Sequence, residues 1–277
     1  MDPHFKTTLE LVKAALAEDI GRGDLTSLGC LEPGPVKAQI VAKGAGVLSG
    51  TAPAQIVFDI VDSANTLEFA VQDGERFAYG DVIARIDGFN QTVLASERVA
   101  LNFLGKLSGI ATLTRTYADR IPAGCACRIL DTRKTTPGWR YLEKQAVVHG
   151  GGMNHRFGLY DMALIKDNHI AASGSISEAV AHMREYMTTR DFRLQFDTDA
   201  ARILIEVEVT SQNQLAEAIA ARVDRVLLDN QTIESLASMV KIARQLDPTV
   251  QLEASGNVSL ETVAAIAATG VDYISVG

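Results

Sequence analysis

Cysteine is scarce in this 277-residue chain. Cys30, Cys125 and Cys127 are the only three, an odd number without zinc-ligand spacing, which excludes a disulfide scaffold. Cys125 and Cys127 form a C-x-C pair able to hold a metal, but reduced core thiols in a cytoplasmic protein are the simpler expectation. No apolar run approaches the length that spans a bilayer. The opening MDPHFKTTLELVKAALAEDIG lacks a basic start followed by an apolar core, so no secretion signal is expected; Leu9, Val12, Leu16 and Ile20 instead mark one face of a helix. Positive charge is also short overall, 26 Lys and Arg against 34 Asp and Glu, which argues against nucleic-acid and membrane-surface partners. No low-complexity linker divides the chain. With 47% hydrophobic residues, it can bury one large α/β core or two moderate ones.

The cations that are present are unevenly placed. Between Arg128 and Lys166 stand seven Lys and Arg against three acids, in a chain of net charge −8. Arg133 and Lys134 are adjacent in DTRKTTPG (131–138), and GGGMNHR (150–156) follows closely. A cationic site in an acidic body suits a small anion.

The first hundred residues differ from the rest. QIVAKGAGVLSG and LEFAVQDGERFAYGDVIARIDG alternate with period two and break at glycines, predicting hairpins of a small β-rich domain. The second run is similar to the hairpin of biotinyl and lipoyl carrier domains, but no lysine sits exposed in the turn, so a carrier role is not expected. Arg22-Gly23-Asp24 reads as a helix stop and turn. A long helix follows, with Val99, Phe103, Leu107 and Ile110 on one face and Arg98 and Asn102 on another. From residue 128 onward, RILDTRK, ALIKDN, ILIEVEV, RVLLDN, QLEASG and YISVG read as short strands; helical text separates the later ones. Strand starts near 203, 225, 251 and 273 have the spacing of βα units. Each strand ends in polar residues, and in parallel α/β barrels the C-terminal strand ends form one reactive mouth. The segment 184–202 has mixed charge and weak periodicity and reads as an exposed elaboration.

Alternation in ILIEVEV puts Glu206 and Glu208 on one face, opposite Ile205, Val207 and Val209. Carboxylates in an apolar strand are costly unless they meet a cavity, cations or a metal. Salt bridges to structural arginines are the competing role, weaker for Glu208, which lies nearer the strand end. Asp229 is a mouth carboxylate or a helix cap; with Glu208 it could bind magnesium through water. Lys134 and Lys166 suit a Schiff base or an anion, and with Arg133 and Arg156 nearby the pattern favours anion recognition. The glycines at 150–152 offer bare backbone beside His155 and Arg156, or merely a flexible loop. His155 is a ligand contact or a structural histidine, while His149 and His169 complete no metal set. Ser255, Gly256 and Asn257 end one strand and open a helix, where backbone N–H groups can cradle phosphate; the alternative is a plain turn.

Together EDIGRGDLTS, GVLSG, SERVALNFLGKLSGIATLT, DTRKTTPGWR, GGGMNHRFGLYDMALIKDNHI, IEVEV, LLDN, LEASGNVS and GVDYISVG closely resemble the quinolinate phosphoribosyltransferase family, nearly end to end. The resemblance implies an N-terminal α/β sandwich domain with linking helix, residues 1–110, and an incomplete α/β barrel of seven-stranded type, residues 111–277. It implies decarboxylating transfer from phosphoribosyl pyrophosphate to quinolinate in NAD synthesis, giving nicotinate mononucleotide, pyrophosphate and CO2, with Mg2+, in a homodimer or larger assembly. Residue by residue, it assigns quinolinate contacts to Arg133, His155, Arg156 and Lys166, and an arginine reaching the neighbouring subunit's site to Arg98. Lys134, Glu208 and Asp229 match the catalytic group around ribose and metal. Thr132, Ser255, Gly256, Asn257, Val276 and Gly277 match substrate-holding turns, mainly those for phosphate. Three departures stand out: relatives continue past Gly277 into the last phosphate loop, 184–202 is longer than usual, and Trp139 replaces a leucine. The competing expectations are a non-decarboxylating nicotinate phosphoribosyltransferase, a molybdenum-transport-associated relative, and a Schiff-base barrel lyase.

Overall fold

The computed structural model describes residues 3–196 and 198–277, with side chains from residue 6 onward. The chain groups into two compact units: one runs up to Thr116 and takes in Thr135–Gly152, the other holds Tyr117–Lys134 and Met153–Gly277.

In the first unit, helix α1 (Pro3–Ile20) buries Val12 and Leu16 on the face read from the sequence. It stops at Gly21 and Gly23, both with positive φ. Asp24 then caps helix α2 (Leu25–Cys30), its carboxylate accepting from the N–H groups of Thr26 and Ser27. Capping holds the Asp24 carboxyl below its ordinary range, chiefly through hydrogen bonds from Ser27. The tripeptide Arg22-Gly23-Asp24 is thus absorbed by a helix stop and a helix cap.

The glycine-broken pieces that follow are strands, but not consecutive hairpins. They are β1 (Pro35–Val41), β2 (Gly46–Val47), β3 (Thr66–Phe69), β4 (Arg76–Phe77) and β5 (Val82–Phe89), with helix α3 (Thr51–Val61) between β2 and β3. β5 lies between β1 and β3 in an antiparallel sheet, and β2 pairs with β4 apart from it. Strand β1 alternates exposed and half-buried residues along its length, the mark of a strand with one covered face. The long helix α4 (Asn90–Ala118) contributes Val93, Val99, Phe103 and Leu107 to a core that also holds Val12, Val57 and Phe58. Burying each large side chain there contributes on the order of 2 kcal/mol.

Helix α5 (Arg140–His149) packs into the same core through Leu142 and Ala146. Trp139 stacks on Phe103 with ring centroids 4.8 Å apart and carries Lys106 over its face at 5.7 Å. The glycine run after α5 has a packing cause. A Cβ at Gly150 would collide with the Ala111 carbonyl and lie 2.6 Å from Thr114 Cβ. The bareness at Gly150 therefore serves helix contact, not approach to a ligand.

The second unit is a six-stranded parallel sheet. Its strands are β6 (Arg128–Leu130), β7 (Ala163–Ile165), β8 (Ile205–Val209), β9 (Arg225–Asp229), β10 (Gln251–Ser255) and β11 (Tyr273–Ser275). Their spatial order, β6-β11-β10-β9-β8-β7, is chain order run round a ring. Met153 bridges Leu130 in parallel on the free side of β6, where a seventh strand would stand. Among the described residues that seventh position is one bridge long, so the ring is an incomplete α/β barrel. Helices α6 (Asp167–Ser173), α7 (Ile176–Thr188), α9 (Gln212–Ala220), α10 (Ile233–Leu246) and α11 (Val263–Ala268) alternate with the later strands, with α8 (Arg190–Phe196) as an addition after α7. The segment 184–202 is more ordered than its composition implies. Phe192 is buried and meets Tyr186 edge-on at 5.7 Å; Asp197 lies outside the described residues. Aromatic spacing across a helix break escapes a periodicity reading.

Candidate active site

Strand alternation sorts the second unit's residues into two sets. Ile205, Val207, Val209, Val226, Leu228, Leu252, Ala254 and Ile274 join the core beneath the helices. The alternate residues face the other way: Glu206 and Glu208 on β8, Arg225 and Asp229 on β9, Glu253 and Ser255 on β10, Ser275 on β11. Register stacks this inner set into levels. Ser255 stands beside Asp229 and Glu253 beside Leu227, while Glu206 stands beside Arg225.

The upper level opens into a cavity of about 740 Å3, lined by Thr132, Arg133, Lys134, His155, Arg156, Lys166, Glu208, Asp229, Ser255, Gly256, Asn257 and Gly277, with Leu164, Leu227, Asn230, Glu253, Val258 and Ser275. Twelve of the site residues read from the sequence line this one cavity. Val276 and Arg98 do not. Val276 packs against the core and its N–H bonds the Leu130 carbonyl. Arg98 sits on α4, largely exposed, 3.7 Å from its neighbour Glu97.

Local chemistry holds Lys166 and Arg156 in place. At Lys166 the backbone caps α6, its N–H bonded to His169 Nδ1 at 2.9 Å. Its side chain thereby reaches the mouth, where Nζ meets Glu208 Oε2 at 2.5 Å. Arg156 donates to the Met162 carbonyl at 3.2 Å. The loop beyond it closes on itself, with the N–H groups of Phe157 and Gly158 at 2.6 and 2.8 Å from the Asp161 carboxylate. Burial depresses the Arg156 guanidinium and repulsion from Arg133 adds to it, while Glu206 and Asp161 oppose the shift. An arginine remains charged through such a shift. Asp131, buried at the end of β6, accepts from the His155 N–H at 2.8 Å and so pins that residue.

Asp229 does not cap a helix. Thr232 caps α10, and Asp229 instead accepts from the Asn230 side chain at 2.7 Å while lining the cavity. The turn at Ser255 also departs from expectation. Helix α11 begins only at Val263, so no helix N-terminus stands at Gly256. In its place, Gly256 and Asn257 both take left-handed backbone, φ 88° and 52°, and Asn257 donates to Asn230 Oδ1 at 3.3 Å. A Cβ at Gly256 would strike Asn230 Oδ1. Gly277 lies against Lys134: a Cβ there would be 3.3 Å from Lys134 Cδ.

The level below the mouth is a buried charge cluster. Glu206 and Glu253 are each 0% exposed. His155 Nε2 lies 3.0 Å from Glu206 Oε2 and 3.4 Å from Glu253 Oε2. Glu253 also accepts from Arg225 at 3.3 Å and from the Ser275 hydroxyl. Burial pushes Glu206 up to about 7, against the pull of Arg225. It does the same to Glu253, with repulsion from Glu206 second, so that this carboxyl also sits at about 7. No donor is aligned on either oxygen of Glu206. His155, Glu206 and Glu253 are close enough to enclose an ion, but the histidine argues against it. Its Nδ1 accepts the Arg156 N–H at 2.7 Å, which leaves the neutral ring's proton on Nε2, the atom a metal would need. Glu208 and Asp229 fit a hydrated hard cation better, since both present oxygen donors to the open cavity.

Residues 24–108 match the family description "Quinolinate phosphoribosyl transferase, N-terminal domain", and residues 110–277 match its C-terminal domain. The chain belongs to the quinolinate phosphoribosyl transferase family. It is therefore a pentosyltransferase. A probable nicotinate-nucleotide pyrophosphorylase [carboxylating] of Synechocystis is 43% identical over 260 residues, 94% of this chain and 84% of that protein. Its Bacillus subtilis counterpart is 42% identical over 268 residues, 97% and 87% of the two chains. Among solved structures, the nicotinate-nucleotide pyrophosphorylase of Francisella tularensis superposes with a TM-score of 0.90 at 37% identity, covering 100% of this chain and 92% of that one. A Pyrococcus furiosus structure keeps the fold at 14% identity, with a TM-score of 0.64.

Residues missed in the sequence were Glu253, Asn230 and Ser275. Glu253 carried the same signal as Glu206, an acid inside an apolar strand. Asn230 and Ser275 carried none, since their roles come from partners on other strands.

Proposed function

We propose that this pentosyltransferase carries out decarboxylating phosphoribosyl transfer: quinolinate and phosphoribosyl pyrophosphate become nicotinate mononucleotide, pyrophosphate and CO2, in NAD synthesis. The observation that carries it is one cavity with two chemistries, cations Arg133, Arg156 and Lys166 beside the carboxylates Glu208 and Asp229. A pyridine dicarboxylate needs fixed cations for two anionic groups, and arginine forks suit them. A ribosyl carbon that develops positive charge needs carboxylates.

The division of labour is the one that the resemblance to the family implies. Arg133, Arg156 and Lys166 hold the base, with His155 pinned behind Arg156. The ring nitrogen attacks the ribosyl carbon as its bond to pyrophosphate breaks; Glu208 and Asp229 stabilise the charge that develops there. Lys134, beside Gly277, offsets charge on the leaving pyrophosphate. The turn Ser255-Gly256-Asn257, with Thr132 and Gly277, holds phosphate. Once the ring nitrogen is cationic, the adjacent C–C bond can break, its electron pair staying on the ring carbon beside that positive charge; CO2 leaves and the carbon takes a proton from water. Glu208 and Asp229 would hold Mg2+ through water, and the bound ion would neutralise pyrophosphate charge.

The same reading has the chain act in the cytoplasm as a homodimer or larger assembly, with Arg98 crossing to the neighbouring subunit's site. The exposure of Arg98 supports its availability to a second chain. No described helix is long and apolar enough to cross a membrane.

The test is turnover of the full chain with quinolinate, phosphoribosyl pyrophosphate and Mg2+, following CO2. Release of CO2 with mononucleotide formation is expected, with near-complete loss in Lys134→Ala and Glu208→Ala at unchanged folding. Transfer to nicotinate without CO2 would replace this reading with the non-decarboxylating one.

A further inference from the structure

Glu253 is wholly buried yet joins segments from both sides of the cavity. One carboxylate oxygen accepts from the Ser275 hydroxyl on β11. The other accepts from Arg225 on β9 at 3.3 Å and stands 3.4 Å from His155 Nε2. Glu206 on β8 is the companion carboxyl across the same ring. His155 leads directly into Arg156, and its ring accepts the Arg156 N–H, so its orientation bears on the guanidinium that follows. Ser275 stands two residues before Gly277, and the N–H of Val276 between them bonds Leu130. Gly277 in turn lies against Lys134. Glu253 therefore links a base-side residue, His155, to the strand that carries the phosphate-side turn.

We propose that Glu253 is a positioning residue that couples the two substrate subsites, setting His155 and Arg156 on one side and Ser275 to Gly277 on the other. This rests on the proposed function for its assignment of base and phosphate sides. A carboxylate can accept on both oxygens at once. An amide at the same place carries no charge and a single acceptor oxygen; with that oxygen toward Arg225 and His155, its N–H₂ faces Ser275, whose hydroxyl must turn from donor to acceptor. Arg225 has a second hold, its guanidinium lying 4.3 Å from the Tyr273 ring centroid and bonding Gln251. It keeps its place, so the change falls on the Ser275 hydroxyl, which must reverse, and on the charge lost opposite His155.

The experiment measures quinolinate affinity by calorimetry, the KM for phosphoribosyl pyrophosphate, kcat and Tm, in wild type, Glu253→Gln, Ser275→Ala and the double variant. Glu253→Gln is expected to weaken quinolinate binding and raise the donor KM, each by about tenfold, the scale of one buried charged hydrogen bond. Ser275→Ala, although on the phosphate side, is expected to weaken quinolinate binding several-fold. Adding it to Glu253→Gln brings no further loss. A residue that only stabilised the fold would lower Tm and active fraction while leaving affinity and KM unchanged. The coupling is overturned if Ser275→Ala leaves quinolinate affinity at the wild-type value, or if the two substitutions add. Should Glu253→Gln fail to fold, Ser275→Ala decides alone. An inactive wild type would remove the proposed function and this coupling with it; an active wild type whose Ser275→Ala variant affects only the donor removes the coupling alone.

Discussion

Replacing Glu206 by glutamine should make the protein more stable above neutral pH, the gain growing between pH 4.5 and 7 and levelling off beyond. In the unfolded chain this carboxyl ionises near its ordinary value of 4.5, whereas in the fold it holds its proton until about 7. Between those values the folded state binds more protons than the unfolded one, so stability falls as pH rises. The contribution is fully present below pH 4.5 and gone above 7. The difference corresponds to about 3 kcal/mol at pH 8, most of which is still retained at pH 5. The neutral amide has no such loss. Removing Glu206 also relieves its repulsion of Glu253, which acts in the same direction. Thermal unfolding at pH 5, 6.5 and 8 tests this. The Tm of Glu206→Gln relative to wild type should rise by about 5 °C or more from pH 5 to pH 8. A constant difference across that range would refute the buried-proton account of this cluster.

Two further outcomes follow from the glycines. Gly256→Ala forces a Cβ onto left-handed backbone and against Asn230; stability should drop by about 1–3 kcal/mol and the KM for phosphoribosyl pyrophosphate should rise, read by thermal unfolding and initial rates. Gly150→Ala, which collides with the Ala111 carbonyl, should lower stability by about 2 kcal/mol or more with both KM values unchanged in the folded fraction.

Much of the barrel was legible in the chain because strand text is local. Starts expected near 225, 251 and 273 are the observed ones, and β8 starts at Ile205, two residues past expectation. Buried strands alternate two faces, and a carboxylate in such a strand marks the inner face without help from elsewhere. That logic distinguished Glu208 from its surroundings and would have found Glu253 had it been applied to LEASG. Alternation alone could not separate Glu206 from Glu208; nearness to the strand end was what favoured Glu208. Both point inward, but only Glu208 stands at the level where Lys166 meets it, and levels are set by register between strands.

The first unit shows the opposite case. Glycine breaks and alternation marked the strands of residues 35–89, yet β1 pairs with β5 and not with its neighbour in sequence. Pairing of distant strands depends on which faces the helices cover, a property of the assembled core. The same holds for Gly150, whose bareness answers the carbonyl of Ala111, 39 positions earlier in the chain.

The amino-acid sequence by itself determined the family, the inner and outer faces of the strands, and the collection of cations between Arg128 and Lys166, because alternation and motif order are properties of a line. Tertiary structure alone decided which level each inner residue occupies, that Asp229 faces a cavity while Thr232 caps the helix, and that two carboxyls meet beneath His155. Those are relations between strands, and burial against a particular neighbour is what turns an ordinary glutamate into one that keeps its proton to about 7.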